Sequence, residues 1–291
     1  MALCLGACGG SGGDSSANAP PALPPGMGPT LLTNADARPP AVPFDTTPRT
    51  SARVIRSFPH DTGAYTQGLA FHRAQLLEST GRLGHSDVRE VDLVTGKIGR
   101  RAALSPTEFG EGITALADRL YQLTWQGGRG HVYDANTLVP IDSFTYAGEG
   151  WGLATDGRVL YMSDGTSRIR VLNPTGLGVL RTIQVRESDS TVWMLNELEW
   201  VRGELWASVY RTDLIARIDP ASGHVVGWVD VGGLLTPAQK QGVAARGGVA
   251  NGIAFDSVRN RLLVTGKLWP RLFEIDLASI QKSSRRLGSN Q

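Results

Sequence analysis

The stretch that decides the fold begins at Glu111-Gly112-Ile113-Thr114-Ala115-Leu116 and runs on through Leu120-Tyr121-Gln122-Leu123-Thr124-Trp125, Val132-Tyr133-Asp134-Ala135-Asn136-Thr137 and the segment from Val139 to Phe144. It holds four short β-rich runs, too short and too closely punctuated by turn residues to be helices. The third run ends on an Asp. Such a side chain can accept hydrogen bonds from backbone amides two residues on, which makes a tight turn. Taken alone this is one small meander. Its meaning comes from recurrence.

Four more segments follow the same plan. They start at Gln67-Gly68-Leu69, Trp151-Gly152-Leu153, Asn196-Glu197-Leu198 and Asn251-Gly252-Ile253. The anchors Leu69, Ile113, Leu153, Leu198 and Ile253 stand 44, 40, 45 and 55 residues apart. A second apolar run follows in each, as in Gln75-Leu76-Leu77, Val159-Leu160-Tyr161-Met162, Glu204-Leu205-Trp206-Ala207 and Arg261-Leu262-Leu263-Val264. A third run reaches a turn at Asp92, Asn173, Asp219 or Asp276. A fourth occupies Ile98 to Ala103, Val179 to Val185 and Val225 to Val231.

Four strands in a repeat of this length make one propeller blade. The expected fold is therefore all-β, a five-bladed β-propeller of four-stranded antiparallel blades. The fifth repeat has no fourth run, because after Asp276 the chain turns polar at Gln281-Lys282-Ser283-Ser284-Arg285-Arg286. The strand-like Ala52-Arg53-Val54-Ile55-Arg56-Ser57-Phe58 precedes the first repeat without a partner. It is expected to become the outer strand of the last blade and close the ring, removing an open edge. An open sandwich or a solenoid leaves that match of spare and missing strands unexplained. The long gap before the fifth repeat holds Leu234-Leu235-Thr236-Pro237-Ala238-Gln239-Lys240-Gln241, which fits a short helical insertion and a plain surface loop equally well.

The 291 residues, 41% hydrophobic and 19% charged, are enough to bury a large core. A net charge of +2 with mixed signs gives no basic stripe for nucleic acid. No apolar run approaches the roughly 20 residues of a membrane span. Cys4 and Cys8 are the two cysteines, so the body has no disulfide, no cysteine metal site and no cysteine nucleophile. His60, His72, His85, His131 and His224 are scattered and form no ligand pair. No metal or other cofactor is expected. Leu5-Gly6-Ala7-Cys8 resembles a bacterial lipobox, although the basic segment usual before one is missing. Residues 1–8 are thus expected to be the truncated end of a lipoprotein-type signal, with Cys8 lipidated. The protein is expected to be exported, in the periplasm or anchored at the outer membrane, touching membrane only through Cys8. Residues 9–50, rich in Gly, Ser, Ala and Pro, read as a disordered tether. Residues 51–280 make the propeller and 281–291 a polar tail, and the chain is expected to be a monomer.

In a propeller the first strand of each blade lines the central channel, so equivalent positions at its start meet at one mouth. That column reads Gln67, Glu111, Trp151, Asn196 and Asn251. A purely structural column in equivalent blades should repeat small or apolar residues, and this one does not. A second column stands 12 residues beyond the anchors, at Gly81, Trp125, Gly165 and Tyr210. The fifth repeat reaches Lys267 at 14, through a longer hairpin at Ser257-Val258-Arg259-Asn260. Hairpin geometry sets this column beside the first. The sum is a concave polar and aromatic pocket with a candidate acid–base pair. The competing structural reading makes Glu111 and Lys267 an ion pair and packs the tryptophans between blades.

These residues also carry a family likeness. Tyr65-Thr66-Gln67-Gly68-Leu69, Phe109-Gly110-Glu111-Gly112-Ile113-Thr114, Gln122-Leu123-Thr124-Trp125, Gly150-Trp151-Gly152-Leu153-Ala154-Thr155-Asp156, Leu195-Asn196-Glu197-Leu198-Glu199 and Val264-Thr265-Gly266-Lys267-Leu268-Trp269-Pro270 resemble the glutamine cyclotransferases (glutaminyl-peptide cyclotransferases) of the plant and bacterial five-bladed type. The resemblance runs in order from about residue 54 to 277. It implies conversion of an N-terminal glutamine to pyroglutamate with loss of ammonia, on peptides or proteins, without a metal. It places the active site at Gln67, Glu111, Trp125, Trp151, Asn196 and Lys267, with Glu111 transferring the proton. Family members commonly carry tryptophan where this chain has Tyr210, which bears on substrate preference and rate. A non-catalytic surface propeller that binds peptides or sugars at the same mouth stays open. A propeller hydrolase or lactonase ranks behind it, since the inner column offers one carboxylate.

Overall fold

The structure, a computed structural model, describes residues 47–280. The expected signal with Cys8, residues 9–46 of the tether and the tail at 281–291 lie outside the described residues. Five blade sheets follow one another along the chain, and a two-stranded ribbon of Arg186–Glu187 and Ser190–Thr191 lies between the third and the fourth. Blade I comprises Thr66–His72, Gln75–Thr80, Asp87–Val91 and Ile98–Ala103. Blade II comprises Gly110–Leu116, Arg119–Thr124, Arg129–Asp134 and Pro140–Thr145. Blade III comprises Leu153–Thr155, Leu160–Ser163, Arg168–Leu172 and Val179–Gln184. Blade IV comprises Leu195–Val201, Glu204–Val209, Leu214–Ile218 and Val225–Asp230. Blade V takes Ala250–Asp256, Arg261–Gly266 and Arg271–Ile275 from the end of the chain, and Val54–Pro59 pairs antiparallel along its outer edge. This is the five-bladed propeller read from the repeats.

The second strand of each blade shows why its sequence is a continuous apolar run. Successive side chains of a strand point to opposite faces, and here both faces are covered by a neighbouring blade. Leu76 packs toward blade V and Leu77 toward blade II. Leu120 joins blade I and Tyr121 blade III; Leu160 joins blade II and Tyr161 blade IV. Leu205 and Trp206 divide between blades III and V in the same way, and Leu262 and Leu263 between blades IV and I. Five such clusters, one at each blade boundary including that of blade V with blade I, make the core a ring. The turn device recurs as well. Oδ1 of Asp92, Asp134, Asn173, Asp219 and Asp276 accepts backbone N–H groups two or three residues on at 2.7–3.2 Å.

Two details differ from the sequence reading or settle it. The tether was expected to reach residue 50, but Arg49–Ser51 forms a strand pairing parallel with Val225–Asp230, at the outer edge of blade IV. That edge is otherwise a row of unpaired backbone groups, and an Arg49–Asp230 ion pair holds the added strand. The insertion before blade V is helical, at Pro237–Ala244. Thr236 and Gln239 cap each other's backbone there, and Pro237 fits the first turn, where an N–H has no helical partner.

At the channel the inner strands approach one another closely. A Cβ on Gly112 would stand 2.6 Å from the Trp151 carbonyl oxygen, and one on Gly152 would collide with that of Asn196. Gly112 N–H instead donates to the Trp151 carbonyl at 2.7 Å, directly joining blades II and III.

Candidate active site

Four of the five inner strands carry a register irregularity at their start, between Thr66 and Gly68, Gly110 and Ile113, Leu195 and Leu198, and Ala250 and Ile253. A bulge re-aims a side chain and ends regular pairing. Each irregularity brackets a column residue, Gln67, Glu111, Asn196 or Asn251. The column is tied sideways between blades: Ser79 Oγ donates to the Glu111 carbonyl at 2.6 Å and Ser163 Oγ to the Asn196 carbonyl at 2.7 Å.

The second column stands where hairpin geometry puts it. The backbone N–H groups of Gly81, Trp125, Tyr210 and Lys267 donate to the carbonyls of Tyr65, Phe109, Met194 and Val249, each two residues before a first-column residue. Lys267 keeps this register although it is two residues later in its repeat. The hairpin between Asp256 and Arg261 holds four residues, where those of blades I, II and IV hold two. Gly165 departs from the pattern, donating instead to the Leu195 carbonyl.

The polar residues form one connected group. Gln67 Nε2 donates to Glu111 Oε1 at 2.9 Å. Lys267 Nζ donates to Gln67 Oε1, and to the Thr66 carbonyl at 3.1 Å. One carboxamide therefore lies between the carboxylate and the ammonium, and the direct ion pair of the structural reading is replaced by a relay. Asn251 Nδ2 donates to the Thr66 carbonyl at 3.0 Å and lies 3.4 Å from Gln67 Oε1. Gln67, Glu111, Asn196, Asn251 and Lys267 are all buried, each at most 3% exposed. Oδ1 of both Asn196 and Asn251 is buried without a hydrogen-bond partner. Buried polar atoms are rarely left so. Both are acceptors, and Gln67 already gives a side-chain N–H to Glu111.

Burial dominates the electrostatics. It pushes the Glu111 carboxyl well above the usual carboxylate range, against the pull of Lys267 and with help from the charge of Glu149. It pushes Lys267 down to about 7, against Glu111 and Glu197, while Arg82 adds to the fall. Two neighbouring groups whose pKa values burial displaces, one upward and one downward, inside one site are candidates for proton transfer.

Aromatic side chains wall the group. Tyr65 meets Phe109 edge-on at 6.3 Å, and Phe109 meets Trp125 at 5.9 Å. Trp151 meets Tyr210 edge-on at 5.7 Å. Lys267 Nζ lies 4.6 Å from the Tyr65 ring centre, which joins blade V to the wall. The structure thus brings together Gln67, Glu111, Asn251 and Lys267 by direct bonds and Trp151 and Tyr210 by ring contact. Trp125 joins through Phe109.

Residues 29–277 match the glutamine cyclotransferase family. The chain is 44% identical over 234 residues to a glutaminyl-peptide cyclotransferase of Arabidopsis thaliana, covering 79% of this chain and 72% of that protein. This chain belongs to the glutamine cyclotransferase family. As a cyclotransferase it is an enzyme. The crystal structure of a Myxococcus xanthus glutaminyl cyclase is similar at 35% identity and a TM-score of 0.72, over 79% of this chain and 97% of that one.

The cyclotransferase fold also places residues that sequence reasoning missed. Glu197 follows its column residue where the other four repeats have glycine. Its carboxylate accepts Leu69 N–H at 3.3 Å and Ile253 N–H at 2.9 Å, so blade IV reaches blades I and V across the channel. A carboxylate breaking a glycine column was the available signal. Behind the site, both ring nitrogens of His60 face acceptors, Nδ1 the Trp269 carbonyl at 2.8 Å and Nε2 Glu78 Oε1 at 3.0 Å. An imidazole bonded in this way holds both protons, and Glu78 raises its pKa against the opposing effect of burial. Glu78 also accepts from Thr66 Oγ1 at 2.7 Å, which anchors the residue whose carbonyl receives Lys267. Glu149, between the indoles of Trp125 and Trp151, was likewise not singled out.

Proposed function

We propose that this chain converts the N-terminal glutamine of peptides or proteins to pyroglutamate and releases ammonia, with Glu111 moving the proton and no metal in the reaction. The observation that carries this reading is the relay Lys267–Gln67–Glu111. It puts a carboxyl of raised pKa and an ammonium of lowered pKa within one carboxamide of each other, inside an aromatic wall.

The substrate supplies both reacting groups. Its α-amine attacks the δ-carbonyl carbon of its own side chain, a C–N bond forms, and the bond to the side-chain nitrogen breaks. The enzyme has to select the cyclisable rotamer and handle protons. Glu111 takes the proton the amine loses and returns it to the departing nitrogen, so ammonia leaves as a neutral molecule. Lys267, with three donors, is the group that can add a hydrogen bond to the oxygen as its charge grows. The unpartnered Oδ1 atoms of Asn196 and Asn251 suit the N–H groups of the substrate amine and carboxamide. Trp125, Trp151 and Tyr210 exclude water and hold the methylenes.

Purified protein is expected to turn a Gln-initiated peptide into a product lighter by one ammonia, at a rate unchanged by a chelator. The same peptide begun with Asn or pyroglutamate should release none. Binding of the Gln-peptide without ammonia release would make the mouth a recognition site. Chelator-sensitive release would return a metal to the reaction.

The Leu5-Gly6-Ala7-Cys8 box supports export with anchoring at Cys8. Expressed in a bacterium with a complete signal supplied ahead of Leu5, the protein should partition into the detergent phase, and Cys8→Ser into the aqueous phase. Equal partitioning of the two would remove the anchor.

A further inference from the structure

We infer that Glu149 is a positioning residue of the mouth, holding the indoles of Trp125 and Trp151 on one carboxylate while adding a negative charge beside Glu111. The inference rests on the function just proposed. Trp125 belongs to the second column in blade II and Trp151 to the first column in blade III, so no strand pairing relates them. Glu149 Oε2 accepts both indole N–H groups, from Trp125 at 2.9 Å and from Trp151 at 2.8 Å. Its other oxygen accepts Gln126 Nε2 at 3.2 Å. Bonds of 2.8–2.9 Å from N–H to a carboxylate are charge-assisted and stronger than neutral ones.

The loop that presents Glu149 is itself fixed. Arg170, on the third strand of blade III, donates to the Ala147 carbonyl at 2.6 Å and to the Glu149 carbonyl at 2.9 Å, and pairs with Asp164 at 3.5 Å. The backbone that carries the carboxylate is therefore held in place, and the carboxylate itself is held by the three N–H groups it accepts. An indole free to turn about its side-chain torsions would open one wall of the pocket. With both indoles pinned, Trp151 keeps its edge against Tyr210 and Trp125 keeps its edge against Phe109.

The charge has a separate effect. The groups coupled to Glu111 are Gln67, by a hydrogen bond, and Lys267, Glu149, Tyr65 and Tyr146, through charge. Lys267 favours the ionised carboxylate and Glu149 disfavours it. Removing the charge of Glu149 should therefore lower the pH at which Glu111 ionises.

Two substitutions separate position from charge. Glu149→Gln keeps an oxygen able to accept the indole N–H groups but removes the charge. Its KM for a Gln-peptide should stay within about threefold of wild type, while the acid limb of kcat/KM moves to lower pH. Glu149→Ala removes both. Its KM should rise by about tenfold or more, the scale of a lost hydrogen bond to a charged group, with the same acid-limb shift and a weakened near-ultraviolet tryptophan dichroism. Glu149→Asp keeps the charge on a shorter side chain, so its KM should lie between those of wild type and Glu149→Ala while its acid limb stays at the wild-type position. An unmoved acid limb in Glu149→Gln, or an unchanged KM and dichroism in Glu149→Ala, overturns the inference. If Glu149→Ala does not fold, the pH profile of Glu149→Gln decides. If wild type releases no ammonia, it is the functional reading that fails. The dichroism of Glu149→Ala against wild type then still tests whether this carboxylate holds the indoles.

Discussion

Glu111→Gln should lower kcat by about 10²–10⁴, the usual range for removing a positioned acid–base group. The substitution is nearly isosteric. Its carboxamide oxygen can still accept the Gln67 N–H that Glu111 accepts at 2.9 Å, so the relay can persist. Burial makes an uncharged group easier to hold at this position than a carboxylate, and the melting temperature should not fall by more than a few degrees. What is lost is the capacity to take the amine's proton and return it to the leaving nitrogen. KM should change far less than kcat, because the methylenes are held by the aromatic wall. The pH profile gives an independent check. Glu111 must be ionised to act as a base, and burial raises its pKa well above the usual carboxylate range. Wild-type kcat/KM should thus fall as pH drops through that raised value, well above the roughly 4.3 of a solvated glutamate. Residual activity in Glu111→Gln should lack this limb. Ammonia release by the two proteins, measured in parallel across pH, tests both parts. A variant with the full wild-type rate removes Glu111 from its role.

Much of this site was legible because a propeller turns spacing into position. Gln67, Glu111, Trp151, Asn196 and Asn251 were found as one column since each precedes an anchor Leu or Ile by two residues. Trp125 and Tyr210 followed from two-residue hairpins of constant length. Lys267 fitted once the four-residue hairpin was allowed for. The less legible features are those with no period. Glu149 stands two residues before its column, in a loop, and matters only because two indoles from different blades converge on it. The direction of the Gln67 carboxamide, toward Glu111 at one end and Lys267 at the other, depends on side-chain placement that spacing does not encode. Arg49–Ser51 lies in a Pro-rich context, and its partner is a strand edge far along the chain. Local propensity could not reveal a pairing that exists only once blade IV has formed.

Lys267→Met should also cost heavily, by about 10²–10³ in kcat, the scale of losing one donor to a developing oxyanion. The thioether fills much of the same volume. The acceptors it abandons keep a partner nearby, since Asn251 Nδ2 stays 3.0 Å from the Thr66 carbonyl and 3.4 Å from Gln67 Oε1. Removing one member of a buried charge pair destabilises when the other stays charged, but Glu111, whose pKa burial already raises, can take up a proton instead, so the fold should survive with a lower melting temperature. The pH dependence should then change at both ends. Wild-type Lys267 loses its proton near pH 7, so the donor weakens as pH rises through that value and kcat/KM acquires a descending limb. That limb should vanish in Lys267→Met. Loss of the ammonium also removes the charge that favours ionised Glu111, so the ascending limb should move to higher pH. The substrate amine, with pKa about 7.7–8.0, contributes its own rise and is common to both proteins. The difference between the two profiles therefore isolates the enzyme's groups, which titrate as a coupled pair and not singly. A role limited to packing beneath Tyr65 predicts neither shift, only an altered melting temperature. Retention of the wild-type rate together with an unmoved profile would leave Lys267 that packing role and transfer oxyanion stabilisation to another donor.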